Sequence, residues 1–338
     1  MKKRILAIIL ASITAVSMCF MMTGCGGSSE EGKTLNIMQQ YGLAYAPFQI
    51  MEAQGLIEAA YEEATGETVT VTYSELNSGS TINESFAAGD VQVGAMGIAP
   101  AITGSLSGVG YKICSNMSAQ PHKLMTQPDS GIKTLADFKG EDQIALVANG
   151  SFQHILLAMA CNEQLGDAHA LDNNILQASH PEGKMALENN QVAAQLTSSP
   201  FTFQEEAEGM VEVEAADGKG AIESVWPEGN SFIVAVAAES LYNDDPEMYN
   251  AVTTAIAQAV DFINENPEEA AQILIDNDDS VEEDVETVVS WFNDPACSYF
   301  TELKGVMDMA SFMAKEGFLE VDGPSSISDL AYDNVKGE

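Results

Sequence analysis

Apolar runs with strand character alternate with helical patterns along almost the whole chain, and few architectures accommodate that rhythm. A strand, a helix and a second strand make a βαβ unit, and repeated units build parallel sheets covered by helices. Strands are predicted at residues 34–38, 69–73, 91–96 and 111–115, with helices at 47–63, 81–88 and 100–106 between them. Beyond Pro121 the rhythm restarts: a strand at 123–126, a helical turn at 135–138, a strand at 144–147 and a helix at 152–165. Strands at 175–178 and 193–196 flank a helix at 181–188, and short runs at 211–213 and 232–237 complete the strands. The rest is helical, at 247–263, 267–275, 281–292 and 303–315. The expectation is an α/β protein of two lobes with a helical C-terminal tail. Lobe 1 is drawn from residues 34–119 and 230–338, and lobe 2 from 120–229.

With 338 residues and 46% hydrophobic content the chain can bury a substantial core, which excludes intrinsic disorder. Lys and Arg number 13 against 51 Asp and Glu, a net charge of −38. Nucleic acid is excluded as a partner, because binding it needs clustered basic residues that displace counterions from phosphates. Arg4 is the sole arginine, so an anion must be held by backbone N–H groups, hydroxyls, Lys or His. Arg4 stands with Lys2 and Lys3 ahead of an apolar run from Ile5 to Met22, a pattern that predicts a signal peptide over residues 1–24. The run is close to the minimum length of a membrane span, so a permanent anchor helix is the competing reading. Small residues leading into Cys25 and a polar Gly/Ser/Glu tether over 25–33 favour cleavage instead. Met22-Thr23-Gly24-Cys25 resembles the bacterial lipobox, which implies acylation of Cys25 and a lipid-anchored protein on the extracytoplasmic face of the cell membrane. Cys114, Cys161 and Cys297 are too widely spaced for a zinc site or a disulfide framework.

The strand ends carry the functional signal. Five times a strand runs into a turn of small or polar residues that opens a helix, and in open sheets ligands sit outside the carboxyl ends of the strands. Tyr41 and Phe48 belong to the first turn, Ser80 and Thr81 to the second, where Glu84 is spaced for a capping box with Thr81. Gly97, Ile98 and Ala99 form the third, Asn149, Ser151 and His154 the fourth, and Ser199 and Phe201 the fifth. These twelve are the candidate ligand-binding residues, because converging helix N-termini supply N–H donors and a partial positive charge. Any one turn read alone is simple capping. His154 lies in the first turn of its helix and is placed to face the cleft, whereas His122, His169 and His180 show no partner pattern. Trp226 lines the cleft or packs the hinge. Metal, cofactor and catalytic residues are not expected: HExxH and P-loop motifs are absent, and Gly104-Ser105-Leu106-Ser107-Gly108 has leucine where a nucleophile elbow needs serine. Asp276-Asn277-Asp278-Asp279 lacks the glycine and final glutamate of a calcium loop and reads as a solvated connection between helices.

Several longer stretches resemble one family. They are Tyr41-Gly42 with Ala46-Pro47-Phe48-Gln49-Ile50-Met51-Glu52-Ala53-Gln54-Gly55-Leu56, Ala87-Ala88-Gly89-Asp90-Val91 with Gly97-Ile98-Ala99-Pro100, and Gly131-Ile132-Lys133-Thr134-Leu135-Ala136-Asp137-Phe138-Lys139-Gly140. Phe312 to Phe318 and Pro324 to Leu330 extend the match to the C-terminal end. Together they look like the nitrate, sulfonate and taurine class of ABC-transporter substrate-binding proteins, which includes binders of thiamine-precursor pyrimidines. The resemblance implies a type II periplasmic-binding-protein-like fold with two crossovers, a monomer that closes over a small solute and hands it to permease subunits. Asn190-Gln191-Val192-Ala193-Ala194 lacks the glycine and aspartate common in the family, and Gln92 replaces an aspartate. An organic anion is expected as ligand, with a neutral heterocycle stacked on Tyr41, Phe48 or Phe201 as the alternative. An enzyme related to pyrimidine synthesis lacks its cysteine cluster here, and a ligand sensor for a membrane signalling partner is the remaining rival.

Overall fold

Two five-stranded sheets, one from each α/β block, organise the computed structural model, which describes residues 32–337. The signal peptide expected over residues 1–24 and the acylation expected at Cys25 lie outside the described residues. Lys33, placed in the tether by its composition, opens the first strand and pairs with Val69.

The first block contributes β1 (Lys33–Gln39), β2 (Val69–Glu75), β3 (Val93–Gly97) and β4 (Tyr111–Ser118). The second contributes β5 (His122–Thr126), β6 (Ile144–Leu146), β7 (Ile175–Gln177), β8 (Ala194–Ser198) and β9 (Val211–Glu212). The chain then returns to the first sheet as β10 (Ile233–Ala238). The strand orders are β2-β1-β3-β10-β4 and β7-β6-β8-β5-β9. Every residue of β3 and β10 is buried, as expected for central strands covered on both faces.

The sheets are mixed rather than parallel, which corrects the sequence expectation. β10 runs antiparallel to β3 and β4, and β5 antiparallel to β8 and β9. Both strands enter their sheets from the other lobe without a preceding helix packed on the same sheet. The crossover geometry that forces parallel pairing therefore does not apply to them.

Helix boundaries follow local chemistry. Residues 47–63 do not form one helix: α1 (Ala46–Gln54) and α2 (Leu56–Thr65) meet at Gly55, whose φ of 60° is left-handed and breaks the hydrogen-bond ladder. α3 (Gly79–Ala88) starts two residues earlier than expected, because Ser78 caps it by accepting from Thr81 N at 3.3 Å. The Thr81–Glu84 capping box is therefore not the one used. α4 (Ile98–Leu106), α5 (Phe152–Leu165), α6 (His180–Glu188) and α7 (Phe201–Ala207) each follow a strand end, as the turns indicate.

The helical tail comprises α8 (Glu239–Asp244), α9 (Pro246–Glu265), α10 (Pro267–Asn277), α11 (Val285–Phe292) and α12 (Val306–Lys315). Val252, Ile256, Ala259 and Ile263 form the buried stripe of α9, spaced to lie on one helical face that packs on α1 and α2. The last segment docks beside β4, with Tyr332 N donating to Ile113 O at 3.0 Å and Ile113 N to Leu330 O at 2.9 Å. The tail is thus part of the first lobe's framework. No helix among the described residues is long and apolar enough to cross a membrane. Cys114, Cys161 and Cys297 are free and buried.

Candidate functional site

Helix starts from both lobes meet around one cavity of about 40 Å³. From the first lobe come Tyr41 and Tyr45 ahead of α1, Gly79 at the start of α3, Gly97 and Pro100 at the start of α4, and Phe232 before β10. From the second come Ser151, Phe152 and Gln153 at the start of α5, His180 at the start of α6, Ser198 at the end of β8 and Ser199 just after it. The first N–H groups of a helix have no partner within it, so these termini make the cavity rich in main-chain donors and partly positive. Among the described residues no lysine or arginine lines it.

Of the residues predicted from sequence, Tyr41, Gly97, Ser151 and Ser199 line this cavity. The tyrosine lies close to Ser179 of the opposite lobe, and burial raises its pKa above the ordinary phenol range. Ser151 caps α5 by accepting from His154 N at 3.3 Å, and Ser199 donates to Gln120 Oε1 at 2.5 Å. Ser80 and Asn149 are exposed and border an adjoining depression of about 170 Å³. Thr81 spends its hydroxyl on the Ser78 carbonyl at 2.7 Å.

Five candidates are placed elsewhere. Phe48, Ile98 and Ala99 are 0% exposed and pack in the core, since they lie on the sheet-facing side of their helix starts. His154 turns from the cavity: its Nδ1 accepts from Gly150 N at 2.9 Å, and its ring packs edge-on against Phe318. Phe201 stacks behind His180, with ring centroids 5.4 Å apart, and so supports a lining residue without being one. Trp226 packs edge-on against Phe152 at 5.7 Å.

The cavity wall also holds Tyr45, Asn77, Gln153, His180 and Phe232, which are not among the twelve candidates. The signal for His180 was available, because Ser179-His180-Pro181 is a sixth turn of the same kind as the five identified. Sequence reasoning missed Asp278. Far from being solvated, this carboxylate is 3% exposed and accepts from Gly42 N at 2.7 Å, Gln49 Nε2 at 2.8 Å and Ser280 Oγ at 2.6 Å. It thereby pins the turn that carries Tyr41.

Buried His122 and half-buried His180 stay neutral near pH 7. Burial lowers the His180 pKa to about 4, although its Nδ1 lies 3.0 Å from Thr197 Oγ1. His122 is lowered to about 3 by burial, wedged between Phe232 at 4.2 Å and Phe152 at 4.8 Å. A histidine depressed in the folded state is protonated first in the unfolded chain, so stability is full above pH 6.5 and declines as pH falls toward 4. Each should contribute about 1–2 kcal/mol of loss by pH 5. Denaturant titrations at pH 7 and pH 5 should show that loss shrinking in His180→Gln; an unchanged difference would contradict it.

Two α/β sheets facing each other across a cleft, joined by two crossings of the chain, define the periplasmic-binding-protein class of fold. The alkanesulfonate-binding protein SsuA from Xanthomonas axonopodis pv. citri, solved bound to MOPS, superposes with a TM-score of 0.69 over 90% of this chain and 99% of its own, at 16% identity. The aliphatic sulphonate binding protein SsuA from Escherichia coli matches with a TM-score of 0.66, covering 91% and 94% at 17% identity. The nitrate-binding protein NrtA from Synechocystis PCC 6803 gives 0.65, covering 90% and 86% at 12% identity. In sequence, a Bacillus subtilis (strain 168) protein whose name assigns it to aliphatic sulfonate binding is 25% identical over 321 residues, 88% of this chain and 93% of its own. These relatives are named as binding proteins, not enzymes. The NMT1-like family model matches residues 38–275, and the chain belongs to that family.

Proposed function

We propose that this protein is the solute receptor of an ABC importer and captures a small oxyanion, an organosulfonate or nitrate, in the cavity between its lobes. The observation that carries the reading is the meeting of helix starts from both lobes at one cavity that no lysine or arginine among the described residues lines. Anions are stabilised at helix N-termini by about 0.3–1 kcal/mol each when exposed and by more when partly buried. The cavity is roomy enough for a small polar group, and its helix starts suit the oxygens of a sulfonate head or a nitrate. The names of the relatives agree with this ligand class.

The receptor is read as a monomer, acylated at Cys25 and held on the extracytoplasmic face of the membrane, where it delivers its solute to permease subunits. Its lobes span residues 34–119 with 230–338, and 120–229. Calorimetry with methanesulfonate, taurine, nitrate and an aminopyrimidine tests the ligand. At least one anion should bind, and Ser151→Ala should weaken it by about 1–3 kcal/mol through the lost hydroxyl. Binding of the aminopyrimidine alone would overturn the anion reading in favour of a ring stacked on Tyr41 or Phe232.

A further inference from the structure

Two histidines of the second lobe meet one phenylalanine of the helical tail at the mouth of the cleft. Phe318 follows α12, which packs on α4 of the first lobe. It lines the depression of about 170 Å³ beside the cleft, with Ser80 of the first lobe and Asn149 of the second. Its ring centroid lies 4.9 Å from that of His169 and 5.4 Å from that of His154. His154 stands in the first turn of α5, and His169 in the loop that leads from α5 to β7. Asp172 on the same loop offers one carboxylate oxygen to each ring, 2.8 Å from His169 Nδ1 and 3.6 Å from His154 Nε2.

The hydrogen bonds of His169 fix its charge. Nδ1 faces the Asp172 carboxylate, and Nε2 faces the main-chain carbonyl of Glu316 at 3.0 Å. Both partners only accept, so each bond needs an N–H, and a neutral imidazole has one. The arrangement is complete only for the imidazolium. In keeping with this, the His169 pKa is raised above 6.5, first by the bond to Asp172 and then by the Glu316 carbonyl. When the proton leaves, the remaining N–H stays with the carboxylate, the stronger acceptor. The bond that is lost is the one to Glu316 O, which joins the second lobe to the segment carrying Phe318. His154 differs, because its Nδ1 already accepts from Gly150 N and burial lowers its pKa.

We infer that His169 is a proton-operated latch on the mouth of the cleft. Protonated, it ties the two lobes through Glu316 and keeps Phe318 against the second lobe. Deprotonated, it frees that segment and weakens the hold on a captured solute. This regulation rests on the reading that the solute binds between the lobes. A group whose pKa is raised by its partners gives its full contribution below its ordinary value, here 6.5, and loses it as pH rises through the raised value. Closure around a solute in that window therefore draws a proton onto His169.

The titratable groups around His169 are Asp167 and Asp172 on its own loop, His154 and Cys161 on α5, and, from the tail, Glu316 with its partner Lys315. Burial holds His154 below 6.5 and pushes the Cys161 thiol up to about 12, so neither changes charge between pH 6.5 and 8.5. Elsewhere Glu212, pushed up to about 7 by burial, does titrate in that range. The parent must therefore be compared with a variant that lacks only the His169 imidazole.

Nuclear magnetic resonance on protein labelled at its histidine and phenylalanine rings tests the latch without a ligand. His169 should titrate above 6.5 and return toward that value in Asp172→Asn. A cross-peak between the His169 and Phe318 rings is expected at pH 6.0 and should disappear at pH 8.5. Calorimetry with methanesulfonate and nitrate, in buffers free of sulfonates, reads the consequence for capture. From pH 6.0 to 8.5 affinity should fall more in the parent than in His169→Gln, by roughly two- to fivefold, the size expected of a partly exposed charged bond. A cross-peak that persists at pH 8.5, a His169 pKa at or below 6.5, or an equal loss of affinity in parent and variant would overturn the latch. Failure of both anions to bind at either pH would overturn the anion reading alone, since the two spectroscopic readings judge the latch by themselves.

Discussion

Replacing Asp278 with alanine should cost about 2–6 kcal/mol of stability, because it strands the buried donors Gly42 N–H and Gln49 Nε2 at about 1–3 kcal/mol each. The carboxylate also accepts from Ser280 N at 2.9 Å, so it ties the loop after α10 to the turn after β1. Because that turn carries Tyr41 to the cleft, ligand affinity should fall along with the denaturant midpoint. Asp278→Asn keeps one acceptor oxygen and should fall between the two. A midpoint within experimental error of the parent for Asp278→Ala would show that solvent replaces these bonds and that the pin is dispensable.

Introducing valine at Gly97 should weaken the cleft ligand by roughly 5- to 150-fold, the equivalent of about 1–3 kcal/mol of overpacking. A Cβ at this position stands 3.0 Å from Phe152 Cβ across the cleft and 3.7 Å from Phe232 Cε2. The backbone there has φ −59° and ψ 150°, which any residue adopts, so the substitution tests space and not strain. It holds the α4 start of one lobe off the α5 start of the other. Calorimetry with the best-binding anion reads the effect, and unchanged affinity would mean that the approach of the lobes at Gly97 is not needed for capture.

Much of the fold was legible because its strands are short apolar runs bounded by turn residues, and β3 and β10 were recognisable from that pattern alone. Strand direction in β5 and β10 was not, since it depends on where the chain travels between lobes and leaves no trace in composition. At the cavity, the turn residues Gly97, Ser151 and Ser199 were found because glycine and serine at strand ends have few other uses. Ile98 and Ala99 were misplaced by one or two positions. Each step along a helix rotates the side chain by about 100°, enough to carry a residue from the cleft into the core. Asp278 was illegible for a different reason, as its partner Gly42 is 236 residues away and no local pattern records the pairing.

The absence of lysine and arginine from the cavity wall, among the described residues, changes what mutation can do to recognition. A guanidinium is lost in one codon change, but a peptide N–H at a helix start survives every substitution except proline. A head group held by main-chain donors is therefore protected against drift. The side chains around it, such as Tyr41, Asn77, Gln153 and Phe232, remain free to vary. Such a receptor can exchange one ligand tail for another over evolutionary time while its grip on the shared head group stays the same.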